Sequence, residues 1–233
     1  EQVLNDLTRT LSGPVDLAVV FASAHHTQAF DMIPRQLARA LQPKTELGVT
    51  GEAVLGRSRE LDGDRPGLSI LVASLPDATV TPFSYEQLKW DELIEAPDSL
   101  RAQIDVEPEQ LRAMVLLADP FSAPMVKLLP NLTVALPGVP VIGGMASGSQ
   151  KAGGNRLMLD GALLCDGAVG VAIRGAVDIQ STVSQGCRPI GKPYVITKAK
   201  RHLVQELGGH NALGVIKQMA QDLKASEQRL VQA

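Results

Sequence analysis

The sequence predicts an internally duplicated α/β domain whose β-α-β-β-β units build mixed sheets flanked by helices. Three observations carry this. A strand-like run, a helical pattern and a second strand-like run occur in that order twice, first from Leu17 and again from Ala113. The spacing agrees, since 31 residues separate Leu17 from Gly48 and 30 separate Ala113 from Gly143. A third marker follows in each half, Gly67-Leu-Ser-Ile-Leu-Val-Ala73 and Gly167-Ala-Val-Gly-Val-Ala-Ile173. Self-similarity at a fixed offset decides the architecture before any single element does.

In chain order, Leu17-Ala-Val-Val-Phe-Ala-Ser23 is an apolar run closed by a small polar residue, as a buried strand would be. A helical pattern runs from about Thr27 to Leu41, and Glu46-Leu-Gly-Val-Thr-Gly-Glu52 follows as the next strand. The second half repeats this with Ala113-Met-Val-Leu-Leu-Ala-Asp119, a helix from about Ala123 to Leu136, and Val141-Ile-Gly-Gly-Met-Ala-Ser147. A strand-helix-strand crossover implies a parallel pair. Each third marker precedes another β-rich run, Ala78 to Phe83 or Val177 to Val183. The intervening turns are short and hold Pro76-Asp77 and Gly175-Ala176, so two antiparallel hairpins are expected.

These halves span about 15–84 and 112–185. Between them, residues 85–111 carry Glu86, Asp91, Glu92, Glu95, Asp98, Asp105, Glu107 and Glu109, broken by Pro97 and Pro108, and are expected to form an acidic helical connector. The first domain is expected to cover 1–192. Residues 193–233 open a further part: a hairpin from Tyr194–Lys198 and His202–Glu206, then a helix from Ala212 capped by Asn211. Leu213, Ile216, Ala220 and Leu223 share one face of that helix, which makes it amphipathic.

Composition narrows the function. The 233 residues are 45% hydrophobic and 20% charged, which argues against wholesale disorder. A net charge of −3 supplies no attraction for a phosphate backbone, and the seven aromatics have no basic cluster beside them, so nucleic acid is not an expected partner. The longest apolar runs, such as Leu17 to Ala22 and Ala113 to Ala118, fall far short of the ~20 residues of a membrane span. Cys165 and Cys187 form no disulfide framework and no zinc spacing, which points to a reducing compartment and a cytoplasmic location.

Ligands of α/β sheets collect beyond the carboxyl ends of parallel strands. Four segments qualify here: Ser23 to Thr27, Asp119 to Ser122, Gly48 to Glu52 and Gly143 to Ser149. Gly48, Gly51, Gly143, Gly144 and Gly148 let backbone amides approach a bound anion, although tight turns without a ligand use glycine equally well. No dinucleotide fingerprint or Walker sequence occurs, so no cofactor is expected. Thr50, Gly51, Glu52, Gly143, Gly144, Ser147, Asn155 and Arg156 are the candidate ligand-binding residues in these turns. Glu52 suits recognition of an amino group or work as a base, and the Asn155-Arg156 side chains are expected to reach over the site from a loop edge. His25, His26 and Ser122 are secondary candidates. Adjacent histidines without further spaced ligands do not make a metal site.

Gly186-Cys-Arg-Pro-Ile-Gly191 sets a thiol beside a guanidinium. Cys187 and Arg188 complete the candidate ligand-binding set, their turn helping the two glycine turns to enclose a ligand, with Arg188 suited to gripping a carboxylate through its planar fork. Cys187 is either structural or a nucleophile with a lowered pKa, and the second option needs a general base that no spacing identifies.

At these residues the sequence resembles the FIST family. The resemblance rests on Thr50-Gly-Glu52, Pro137-Gly-Val-Pro-Val-Ile-Gly-Gly144, Gly154-Asn-Arg156, Asp166-Gly-Ala-Val-Gly170 and above all Val183-Ser-Gln-Gly-Cys-Arg-Pro-Ile-Gly191. It implies a sensory module of intracellular signalling that binds a small ligand such as an amino acid, and it transfers no catalytic residues. It also implies that the chain covers the family's N-terminal part and only the opening of the C-terminal part. The expected partners are a small anionic or zwitterionic ligand and a signalling output protein or that C-terminal part, with a homodimer left open. Two other functions compete: a thiol enzyme centred on Cys187, and an adaptor that docks a partner protein on the acidic connector and terminal helix.

Overall fold

The computed structural model describes residues 2–11, 13–56, 59–61, 65–84, 92, 95, 96, 99, 110–183, 189, 191–200, 203–223, 227 and 228. It falls into two compact units, 1–181 and 182–233. In the first unit the elements are α1 (Gln2–Thr10), β1 (Leu17–Ser23), a 3-10 helix (Ala24–Ala29), α2 (Met32–Ala40), β2 (Thr45–Gly51), β3 (Val54–Gly56), β4 (Arg59–Leu61), β5 (Leu68–Ala73) and β6 (Ala78–Ser84). They continue with β7 (Leu111–Ala118), α3 (Met125–Ala135), β8 (Val141–Met145), β9 (Leu157–Leu159), β10 (Ala162–Leu164) and β11 (Ala168–Gly175).

Both expected crossovers form. β1 pairs parallel with β2, from Leu17 opposite Thr45 to Ser23 opposite Gly51, and β7 pairs parallel with β8, from Met114 opposite Val141 to Ala118 opposite Met145. Each central strand then takes an antiparallel neighbour on its other side, β5 against β1 and β11 against β7. The result is a five-stranded sheet, β10-β9-β2-β1-β5, and a four-stranded sheet, β6-β11-β7-β8, both mixed.

Strand alternation makes these sheets into inner layers. Leu17 and Val19 on β1, Leu47 and Val49 on β2, and Leu157 and Leu159 on β9 meet Leu117 of β7 and Val169, Val171 and Ile173 of β11 in one apolar core between the sheets. The opposite faces carry the alternate residues. Val20, Ala22 and Met158 pack with Leu37 of α2 and Leu4 of α1, while Met114, Leu116 and Ala118 pack with Leu128, Leu132 and Ala135 of α3. Unit 1 is therefore layered helix, sheet, sheet, helix, and the central strands β1, β2, β7 and β11 bury most of both faces. That explains why the strand sequences read as continuous apolar runs.

The two hairpins expected after the third markers do not form. β5 and β6 follow one another closely but enter different sheets, β5 on β1 and β6 on β11. Residues 177–183 are not a strand. The reason is geometric: β6 and β7 already occupy the two edges of β11, so the chain leaving Gly175 has no edge to pair with. Val177 and Ile179 instead lean on the core between the sheets. Pro82 is accommodated because β6 is an edge strand.

The connector expected over 85–111 lies mostly outside the described residues. In the second unit, β12 (Ile196–Lys200), β13 (Leu203–Leu207) and β14 (His210–Asn211) form a three-stranded antiparallel sheet, followed by α4 (Ala212–Gln221). Asn211 caps that helix, its side chain accepting from the Gly214 amide at 3.1 Å. Ala212 is buried, whereas Leu213 and Ile216 are 61% and 49% exposed, so the apolar stripe is only partly covered.

Candidate functional site

The carboxyl ends of β2 and β8 belong to different sheets, yet their turns meet at one corner. The Thr50 carbonyl accepts from the amides of Ser147 at 3.2 Å and Gly148 at 3.3 Å, and the Glu52 amide donates to Ser147 Oγ at 3.0 Å. Gly148 lies against Thr50 so closely that a Cβ there would sit 2.8 Å from the Thr50 Cβ. Close backbone approach is thus what this glycine serves.

Asn155 and Arg156 join the same corner. Thr50 is fully buried, its amide donates to the Arg156 carbonyl at 3.0 Å, and its Oγ1 accepts from the Arg156 amide at 2.9 Å. Asn155, also fully buried, accepts from the Ser149 amide at 2.9 Å and donates to Asp119 Oδ1 at 2.9 Å. Arg156 is half-buried, with Nη1 donating to the carbonyls of Gly153 and Asn155. The interior of the corner is therefore a closed polar lattice. What faces solvent is its rim: Glu52, Gly144 and Ser147, with Gly51 and Arg156 partly covered.

The remaining glycine of the candidate set has a structural task. Gly143, at φ +154°, lies opposite Leu116 in the parallel ladder, and a Cβ there would fall 1.8 Å from the Leu116 carbonyl oxygen. Gly48 does likewise within β2, where a Cβ would meet Met158 and Val20.

The first strands of the two halves end in matching ways. At β1 the Ser23 amide donates to the Gly67 carbonyl at 2.8 Å and Ser23 Oγ accepts from the Gly67 amide at 2.9 Å. At β7 the Asp119 amide donates to the Gly167 carbonyl at 2.8 Å and Ser122 Oγ accepts from the Gly167 amide at 2.8 Å. Ser122 and the exposed His25 are thus tied into strand termini, with His25 Nδ1 3.3 Å from Ser23 Oγ and His26 half-buried beside it. Among the described residues no group of three or more His, Cys, Asp or Glu is set to hold a metal ion. Cys187 and Arg188 lie outside the described residues, and Cys165 is an exposed free thiol.

Sequence reasoning marked the segment that Asp119 opens but did not single out Asp119 itself. Buried at 1% exposure, it takes the Phe121 amide and the Ser122 hydroxyl on Oδ2 and Asn155 on Oδ1, and so ties β7 to the loop that carries Arg156. Its signal was an acid directly ending an apolar strand, where a charge survives burial only with donors around it. Asp160 and Glu46, at the other end of β2, were also missed. Asp160-Gly161 between apolar triplets is a strong two-residue hairpin signal, and both residues have positive φ, +45° and +81°.

The FIST N domain model matches residues 16–210. An uncharacterized protein of Mycobacterium tuberculosis is 34% identical over 220 residues, which is 94% of this chain and 55% of that protein. An uncharacterized protein of Mycobacterium bovis is 31% identical over 215 residues, 92% of this chain and 53% of that protein. The chain spans about half the length of these curated relatives. No helix among the described residues is long and apolar enough to cross a membrane.

Proposed function

This chain belongs to the FIST N domain family, whose members are generally sensory domains of signal transduction, and from that membership we propose that it is a ligand-sensing module. Its ligand is a small zwitterionic or anionic metabolite, of which an amino acid is the type. One observation supports this most: turns from two different sheets are hydrogen-bonded into one corner, Thr50 to Ser147 and Gly148, and Glu52 to Ser147. Glu52 and Arg156 both flank Thr50, which offers an acceptor for an ammonium group and a guanidinium for a carboxylate. The matching order and directions of three strands in each sheet, β5-β1-β2 and β11-β7-β8, support descent from a duplicated unit, with the corner as the seam between copies.

Sensing requires that the ligand prefer one of two arrangements, because equal affinity for both transmits nothing. The loops of the rim are the elements able to have two. Isothermal titration against a panel of amino acids and short carboxylates tests the proposal, with Glu52→Gln and Ser147→Ala as controls. Heat from at least one zwitterion, lost in Glu52→Gln, is expected. A panel without heat, or binding indifferent to both substitutions, overturns it.

A further inference from the structure

At the amino end of β2, a cleft of about 680 Å³ opens between α2 and the β9–β10 turn. Asp31, Pro34, Arg35 and Ala38 wall it on the α2 side, and Glu46, Asp160 and Leu163 on the other. Glu46 is 6% exposed, and among the described residues its Oε2 is buried without a hydrogen-bond partner. Buried carboxylate oxygens are normally satisfied, so an orphan beside a cleft asks for a donor that arrives from outside.

The surroundings say what kind of donor. The Asp160 carboxylate takes the Glu46 amide at 2.8 Å, and both residues line the cleft, Glu46 buried and Asp160 exposed. Lys44, which also lines the cleft, is held by Asp16 at 2.7 Å. Arg35 on α2 and Asp31, the residue just before that helix, offset each other in charge. An anion entering this end would meet two acidic groups, whereas an ammonium would meet acceptors. We propose that the cleft binds a small organic cation, a primary ammonium carried on a short apolar chain, with Glu46 and Asp160 receiving the head group and Pro34, Ala38 and Leu163 the chain.

Burial, reinforced by the Asp160 charge, pushes the Glu46 carboxyl above the ordinary carboxylate range against a hydrogen bond from the Gly161 amide, and burial does the same to Asp160. A cation must therefore displace a proton where Glu46 still holds one, and its affinity should rise with pH through that range. The site is separate from the proposed sensory corner, four residues away along β2 or roughly 13 Å.

Titration of the full chain with 1-aminobutane, followed by NMR and by calorimetry in two buffers of different ionisation enthalpy, tests the proposal, with butan-1-ol and butyrate as matched probes. Expected are saturable binding of the amine alone at millimolar concentration, proton release on the acid side, and a loss of about tenfold or more in Glu46→Gln. Asp160→Asn, which tolerates the positive φ of the turn, should weaken the amine while leaving the fold intact. Glu52→Gln should leave it unchanged, which keeps this test apart from that of the corner. Absence of amine binding, equal binding of butyrate, or full affinity in both cleft variants overturns the assignment.

Discussion

Replacing Asn155 by alanine is the sharpest test of how the corner is held. The side chain is fully buried and makes two hydrogen bonds of 2.9 Å, accepting from Ser149 and donating to Asp119. Truncation leaves the Ser149 amide and one oxygen of a 1%-exposed carboxyl unpaired. An orphaned buried group costs about 1–3 kcal/mol, so two of them, partly relieved by water entering the gap, come to about 3 kcal/mol. For a chain of this size each kcal/mol moves the melting temperature by about 2–4 °C, so Asn155→Ala should melt about 6–12 °C lower. Differential scanning calorimetry measures this. Hydrogen exchange locates it, because the Ser149 amide should lose protection while the Leu157 amide, within the β2–β9 ladder, keeps it. Asn155→Asp keeps the shape but trades the donor for a second carboxylate facing Asp119, and should lose more. A fall of less than about 2 °C for Asn155→Ala would show that the lattice contributes little and that the corner stands on backbone contacts alone.

Gly143→Ala should cost more than about 3 kcal/mol or prevent folding, given the collision with the Leu116 carbonyl, whereas Gly144→Ala, with nothing within 4 Å of its Cβ, should stay within about 0.5 kcal/mol; urea titration separates them. Glu46→Gln should raise the melting temperature more at about pH 7 than at about pH 4. The sign follows from the direction of the shift: an acid whose pKa is raised by folding favours the fold while protonated and penalises it as pH climbs. Asp16, lowered chiefly by its hydrogen bond with Lys44 and also by the Leu75 amide, has the opposite slope, so Asp16→Asn should narrow the stability gap between variant and wild type as pH falls. Replacing Leu213 and Ile216 together by serine should change unfolding of the second unit by no more than about 0.5 kcal/mol per site, since both are largely exposed. Circular dichroism at the helical band checks it.

What the sequence made legible was local. The crossovers beginning at Leu17 and Ala113, the helices after them and the Asn211 cap depend on periodicity and on one side chain reaching three residues ahead, and all of these stand in the structure. Partner choice between distant strands was not legible. Ala78 to Phe83 carries the same β-rich signal whether it folds back on β5 or crosses to β11, and only the free edge of the second sheet decides. Val177 to Val183 carries such a signal too and is no strand, because occupancy of both edges of β11 is a property of the assembled sheet. The site divides in the same way. Thr50, Asn155 and Arg156 were found from glycine-rich turns, and they do come together. Their bonds to one another, and the burial of Asp119, needed the third dimension. Glu46 was hidden because a single acid at the start of an apolar strand ordinarily faces water.

The trade of strands between sheets has a mechanical consequence. β6 leaves the first half to edge the second sheet, and β9 leaves the second half to extend the first beyond β2. Each half is stitched into the other's hydrogen-bond ladder, so prising them apart would tear backbone pairing along both seams. Such lacing of far-separated segments slows assembly, because distant stretches must find each other before either sheet is complete. It also denies the domain a clamshell motion, so the loops of the Thr50–Ser147 corner can rearrange only while the laminated body stays whole.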